Sequence, residues 1–207
     1  MKKLVLTVGA MMALFVACKD GADEPKANVV TLSLAQNSKM GWKGKAADGN
    51  FNEGKIAVEG ELKGEVYNSG ILNNIVSGEI TVPISSIDVT NLPPDLKPML
   101  ENHLKSADFF NMVVHPNVTF KVISGVQLKN GDPDHNYLIK GEMTLLGETH
   151  PLEFPAKILF DGSELNIKAD FTFDQSIWGM DYHLEESYPA NDRLVKGVDV
   201  SFDLTAN

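Results

Sequence analysis

The sequence contains a single cysteine, Cys18, in 207 residues, so no disulfide can form within the chain. No charge-free apolar stretch reaches the roughly 20 residues that a membrane-spanning helix requires. There is no glycine-rich phosphate loop, no G-x-S-x-G nucleophile elbow and no H-E-x-x-H pair. Positive charge is also short: 18 Lys and Arg stand against 28 Asp and Glu, a formal charge of −10. A polyanion would be repelled, which argues against nucleic acid as a partner. The acidic residues are spread along the chain, as on a well-solvated surface.

Five histidines prompt a search for a metal site. His103 and His115 lie twelve residues apart, His135 falls in a turn, His150 follows one, and His183 sits in an irregular segment. None has helical metal-ligand spacing, so no metal is expected. Asp132, Asp134 and Asn136 resemble the opening of a calcium loop, but Tyr137 stands where the sharp turn needs glycine. Met143 stands where a bidentate glutamate is needed, and the motif is rejected.

What is present begins at the N-terminus. Lys2 and Lys3 precede thirteen uncharged, mainly apolar residues from Leu4 to Val16, followed by Ala17, Cys18 and the charged pair Lys19 and Asp20. A basic start with a short apolar run reads as a signal peptide over residues 1–17. "LFVAC" resembles a bacterial lipobox, in which the cysteine carries acyl chains and becomes the first mature residue. This accounts for a lone thiol in an exported protein, and several acyl chains would anchor it stably. Residues 18–28 then form a lipidated cysteine and flexible tether. The expected location is the bacterial cell envelope, on the periplasmic side or on the outer surface of the outer membrane. Loss of residues 1–17 removes two lysines and takes the formal charge from −10 to −12.

The remainder, about 180 residues, suits one domain with a substantial core. Period-two alternation is clear in "KIAVEGELKGEV", where Ile56, Val58, Leu62 and Val66 share one face and Lys55, Glu59 and Lys63 the other. Its glycines suggest bends or bulges. Turn sequences "KNGD" at 129–132, "LGET" at 146–149 and "DGSE" at 161–164 predict three successive hairpins. Strands are expected near 29–34, 38–46, 54–67, 71–83, 117–128, 137–146, 150–160, 164–174 and 195–205. Eight or nine antiparallel strands can close into a barrel that holds an elongated ligand, or stack as a sandwich without a cavity. One helix interrupts them: in residues 91–104, Leu96, Met99, Leu100, His103 and Leu104 form an apolar stripe behind Pro93 and Pro94.

Four blocks, "SKMGWKGKA", "HLKSADFFNMVVHPNVTF", "IKGEMTLLGETHPLEFP" and "FDQSIWGM", resemble in that order the YceI-like family of bacterial exported lipid-binding proteins. The most specific carries Leu104, Ser106, Asp108, Phe109, Phe110, Pro116 and Phe120. The next carries Gly141, Met143, Thr144, Leu145, Gly147, Thr149 and Pro151, while the tract from Asp48 to Val76 departs from the pattern. The resemblance implies a mainly β fold over residues 29–207: an extended eight-stranded antiparallel lipocalin-like β-barrel with one amphipathic helix. It also implies a long cavity for a polyisoprenoid chain or isoprenoid quinone. Candidate lining residues are Phe109, Phe110, Phe120, Met143, Leu145, Phe171, Phe173 and Trp178. Residues 103–120 then read as a hinge from helix to barrel, with Asp108 capping nearby amides.

The function expected is non-catalytic binding, storage or transport of that lipid, with no cofactor and no catalytic residue. The membrane is reached through Cys18, and a homodimer is compatible with the sequence. Two alternatives stand beside it. One is a structural lipoprotein with a packed barrel; the other is an enzyme acting on a bound lipid through polar residues such as His103, Asp108 and His150.

Overall fold

The computed structural model describes residues 27–67, 71–129 and 132–207. The signal peptide 1–17, Cys18 and the tether up to residue 26 lie outside the described residues, as does the centre of the 129–132 turn. Asn28, assigned to the tether, instead opens the first strand.

The described chain is built on eleven strands. In chain order they are β1 (Asn28–Ser33), β2 (Lys39–Ala46), β3 (Phe51–Ala57), β4 (Glu59–Val66), β5 (Leu72–Pro83) and β6 (Asp88–Val89). After the helix come β7 (Asn117–Gln127), β8 (Tyr137–Leu145), β9 (Glu148–Phe160), β10 (Leu165–Asp174) and β11 (Leu194–Ala206). All pairings are antiparallel, in the order β1-β4-β5-β7-β8-β9-β10-β11-β2-β3-β6.

This sheet curls back on itself. β3 passes into β4 through Val58 alone, yet β3 pairs with β2 whereas β4 pairs with β5. At the far end of β11, Leu34 bridges Ala206, and Ser33 and Asn207 exchange backbone hydrogen bonds of 2.8 and 3.0 Å. Edge groups that would otherwise invite pairing with another chain are thereby used internally.

The expected count of eight strands is therefore corrected to eleven. The nine expected strand ranges become eleven strands for two reasons. The single strand expected over 54–67 breaks at Val58, and Gly60 beyond it has φ +143°, a conformation that L side chains rarely adopt. Strand β6 is two residues long, too short to leave a periodic signal, and lies on the outer edge of β3.

The hairpins of the second half follow their turn residues. Leu146 and Gly147 both take positive φ between β8 and β9, and Asp161 accepts from the amides of Ser163 and Glu164 between β9 and β10. Inward and outward positions alternate with period two, most clearly in β8, where Tyr137, Ile139, Gly141, Met143 and Leu145 are buried.

Helix α1 (Lys97–Lys105) starts later than the stripe suggested, because Pro93 to Leu96 form a preceding turn. Pro98 falls in its first turn, where a missing amide hydrogen costs little. The stripe is only partly used: no α1 residue is fully buried, and Met99 is 68% exposed. Leu104 is the position that packs inward. The helix is tied to the sheet at β6, where Val89 donates its amide to Glu101 at 2.9 Å and Lys97 pairs with Asp88.

The buried side chains form three clusters. One contains Leu62, Ile75, Val122, Ile139, Phe154, Ile158 and Ile167; a second contains Phe109, Met143, Leu145, Trp178 and Met180; a third contains Ile56, Val82, Ile84 and Ile87. Phe120 joins the first to the second, and Leu104, Phe110 and Val118 join the second to the third.

A methyl group at position 60 would lie 2.1 Å from the Glu79 carbonyl oxygen. Gly60→Ala is therefore expected to cost about 1–3 kcal/mol in urea unfolding. Gly162→Ala, at φ +105° with open space around it, is expected to cost less.

Candidate functional site

The inward faces of β2, β3, β5, β7, β8, β10 and β11 do not meet completely. They leave a cavity of about 230 Å³. Its wall is built by alternation: Met40, Trp42 and Gly44 on β2, Val118, Phe120 and Val122 on β7, and Val198, Val200, Phe202 and Leu204 on β11. Along β10 it runs from Ile167, opposite Leu204, to Phe173, opposite Val198. Six residue steps at about 3.3 Å make that roughly 20 Å. The lining residues thus extend over that length around an almost wholly apolar space.

Seven of the eight candidate residues line this space: Phe109, Phe110, Phe120, Met143, Leu145, Phe171 and Phe173. Phe109 and Phe110, in the chain between α1 and β7, pack in one cluster with Leu104 and Met180. The turn of that chain is held by Phe110 donating to the Leu104 carbonyl at 3.1 Å and Asn111 to that of Ser106 at 2.7 Å. His103 packs edge-on against both Phe109 and Tyr182, at ring separations of 5.0 Å each.

Trp178 is placed differently, in the wall behind the cavity surface. It is 2% exposed, its Nε1–H donates to the Met143 carbonyl at 2.8 Å, and its ring meets Phe173 and His150 edge-on. Its position reflects a polar handle that must be satisfied once buried.

Residues outside the expected set also line the bore. Phe154 stacks on Phe171 with ring centres 4.4 Å apart, and Phe202 meets Phe154 edge-on. The alternation of Met40, Trp42 and Gly44 in "KMGWKGKA" was a usable signal for the β2 wall. Gln175 had none, since it lies in a turn.

The electrostatic character of the cavity is spare. Lys45 is the one titratable residue among its lining groups, and Gln175 is the one buried polar side chain among the described residues. Gln175 donates from Nε2 to the Val195 carbonyl at 3.1 Å. Val195 lies in an irregularity of β11, between Leu194 opposite Ala46 and Val198 opposite Gly44. Lys45 reaches Asp199 at 2.5 Å, and Thr172 donates to the same carboxylate at 2.8 Å. These two contacts hold the Asp199 carboxyl below the usual aspartate range.

His103, Asp108 and His150 do not line the cavity. The Asp108 carboxylate pairs with His103 Nε2 at 3.0 Å, so it does not cap backbone amides as expected; its own amide donates to Ser106 Oγ at 3.2 Å. Among the described residues no group of three or more His, Cys, Asp and Glu side chains is placed to hold a metal.

Comparison with known proteins agrees with this architecture. A UPF0312 protein of Pectobacterium atrosepticum is 32% identical over 107 residues, 51% of this chain and 50% of that one. Protein YceI of Escherichia coli is 33% identical over 85 residues, 41% of this chain and 39% of that one. The match therefore spans about half the length of these curated relatives, or less. Among solved structures, Burkholderia cenocepacia BcnA superposes with a TM-score of 0.60 at 15% identity, over 82% of this chain and 96% of that one. A polyisoprenoid binding domain from Saccharophagus degradans gives 0.60 at 10% identity, over 87% and 99%. At those identities the likeness is one of fold. The model of the YceI-like domain matches residues 27–206, and by that match over nearly its whole length the chain belongs to the YceI-like domain family.

Proposed function

We propose that this protein binds the hydrocarbon chain of an isoprenoid-type lipid, polyprenyl or isoprenoid quinone, inside the curled sheet and carries or stores it without catalysis. The observation that carries this reading is the elongated run of cavity-lining residues itself, aliphatic and aromatic side chains with Lys45 as the one titratable group among them. Such a chain is nearly insoluble in water, and each 100 Å² of apolar surface it buries contributes about 2.5 kcal/mol. The resemblance in fold to a structure described as a polyisoprenoid binding domain supports the same ligand class.

In this reading the sheet acts as a lipocalin-like barrel tethered to the membrane. Lys2, Lys3, the apolar run 4–16 and Cys18 supply export and acylation, and the lipid anchor keeps the barrel beside the bilayer that holds its ligand. Cys18→Ser is expected to move the protein from the membrane fraction to the soluble fraction of the envelope, as read by fractionation and blotting.

The size of the bore favours one competitor. At about 230 Å³ it is smaller than the roughly 300–1,000 Å³ common for ligand pockets, as a packed structural lipoprotein would have it. Mass spectrometry of an organic extract from the purified full-length protein separates the two. The expected result is one isoprenoid lipid per chain at near-constant ratio. Gly44→Phe places a ring where a Cβ meets nothing within 4 Å, and should lose most of that lipid while unfolding at nearly the same temperature. A protein that is empty, and that also takes up no added farnesol or squalene, would overturn the reading in favour of the packed barrel.

A further inference from the structure

Two hydrogen-bonding groups in the cavity are not explained by a purely hydrocarbon ligand. The first is the indole nitrogen of Trp42. Trp42 lines the bore, its Nε1 is shielded from solvent, and no acceptor lies within reach. Its ring has little freedom to seek one. A Cβ at Gly54, its partner across β2 and β3, would come within 2.8 and 2.9 Å of the indole carbons Cζ2 and Cε2, so the ring rests against bare backbone. A buried N–H without an acceptor leaves its desolvation uncompensated, so its persistence calls for a partner.

The second is Gln175, 5% exposed and lining the same cavity. One of its amide hydrogens is used on Val195, which leaves a second donor. Both residues line the same cavity, with Gln175 bonded to Val195 on β11, the neighbour of β2. Trp42 faces Val200 and Gly44 faces Val198, next to the irregular stretch that Gln175 holds, and the space over Gly44 is open.

We propose that Trp42 and Gln175 form a head-group subsite that takes an uncharged oxygen acceptor, a carbonyl, at the polar end of an apolar chain. This rests on the lipid-binding reading and narrows it. The Trp42 indole can only donate, so the ligand atom it recognises is an acceptor, and the remaining Gln175 N–H can donate to the same kind of atom. Neutrality follows from the one cation nearby: Lys45 is already paired with Asp199, which Thr172 also holds. A phosphate would have to displace that carboxylate and then lie beside it in an apolar setting.

The test uses three chains of similar length with different heads, added to the full-length protein: undecyl methyl ketone, tridecane and dodecyl phosphate. The chain has two tryptophans, and Trp178 already donates to Met143, so its indole resonance is an internal reference in a 15N-labelled sample. The ketone is expected to move the Trp42 indole N–H peak and leave that of Trp178 in place. It should bind about 3- to 10-fold more tightly than tridecane, the range of one or two net hydrogen bonds. Trp42→Phe should abolish that preference, so that the ratio of ketone to tridecane affinity falls to about one whatever the change in tridecane affinity itself. If that variant fails to fold, the resonance shift in the natural protein decides. Equal affinity for ketone and tridecane with an unmoved Trp42 peak would overturn the subsite and leave lipid binding standing. Tightest binding of dodecyl phosphate would also overturn it. Failure of all three chains to bind would remove the lipid-binding reading, and the subsite with it.

Discussion

The interior depends on one stretch of backbone, residues 51–66, serving two different neighbours. β3 must stay hydrogen-bonded to β2 and β6 while β4, one residue later, is hydrogen-bonded to β1 and β5. A straight strand cannot do both. The change of direction at Val58 and the positive φ of Gly60 allow it, and the carbonyl of Gly60 then receives the amide of Leu34 at 2.9 Å. Because unpaired backbone groups are costly when buried, this local bend decides whether the sheet curls around a space or lies open.

A second short element sets the character of that space. The turn Gln175–Trp178 follows β10 and is fixed by Asp174, whose carboxylate accepts from both the amide and the hydroxyl of Ser176 at 2.9 and 2.6 Å. Four residues thus do two separate things. The first sends a carboxamide to the cavity surface beside the irregular part of β11, and the last drives an indole into the wall to grip the Met143 carbonyl on β8. The turn therefore couples the only buried polar side chain of the described residues to the second hydrophobic cluster.

Much of this was legible from residue order because alternation and turn chemistry are local. β7, β8, β9 and β10 lie within a few residues of their expected limits, and "LGET" and "DGSE" turn where their glycines permit. The aromatic pair Phe109 and Phe110, singled out beside the helix end, lies among the cavity-lining residues. What was not legible depends on contacts far apart in sequence. Periodicity does not show a break that arises because Gly60 must approach Glu79, nor a two-residue strand held by Glu101 and Lys97 of the helix. The same holds for Trp178. Its hydrophobicity suggested cavity lining, and the demand of its N–H for the Met143 carbonyl took it into the wall.

A bore lined by Phe, Ile, Leu, Val and Met is non-directional. Burial contributes about 0.8 kcal/mol per methylene whichever way a chain enters, so the wall can select for slenderness and length but not for which end leads. Orientation has to come from groups that distinguish one end from the other. The described cavity lining has few of them: Trp42 lies opposite Val200 on β11, Lys45 follows Gly44, which lies opposite Val198, and Gln175 bonds to Val195 in the irregular part of β11. At the other end of β10, Ile167 packs with Ile139, Phe154 and Ile158, and these with Leu204 line the cavity, while the Tyr137 hydroxyl of that cluster is spent on the Leu72 carbonyl. In the proposed reading, polarity placed toward one end of an apolar space would give an elongated amphiphile a single direction of insertion, its chain toward the Ile167 end and its head toward the donors near β11.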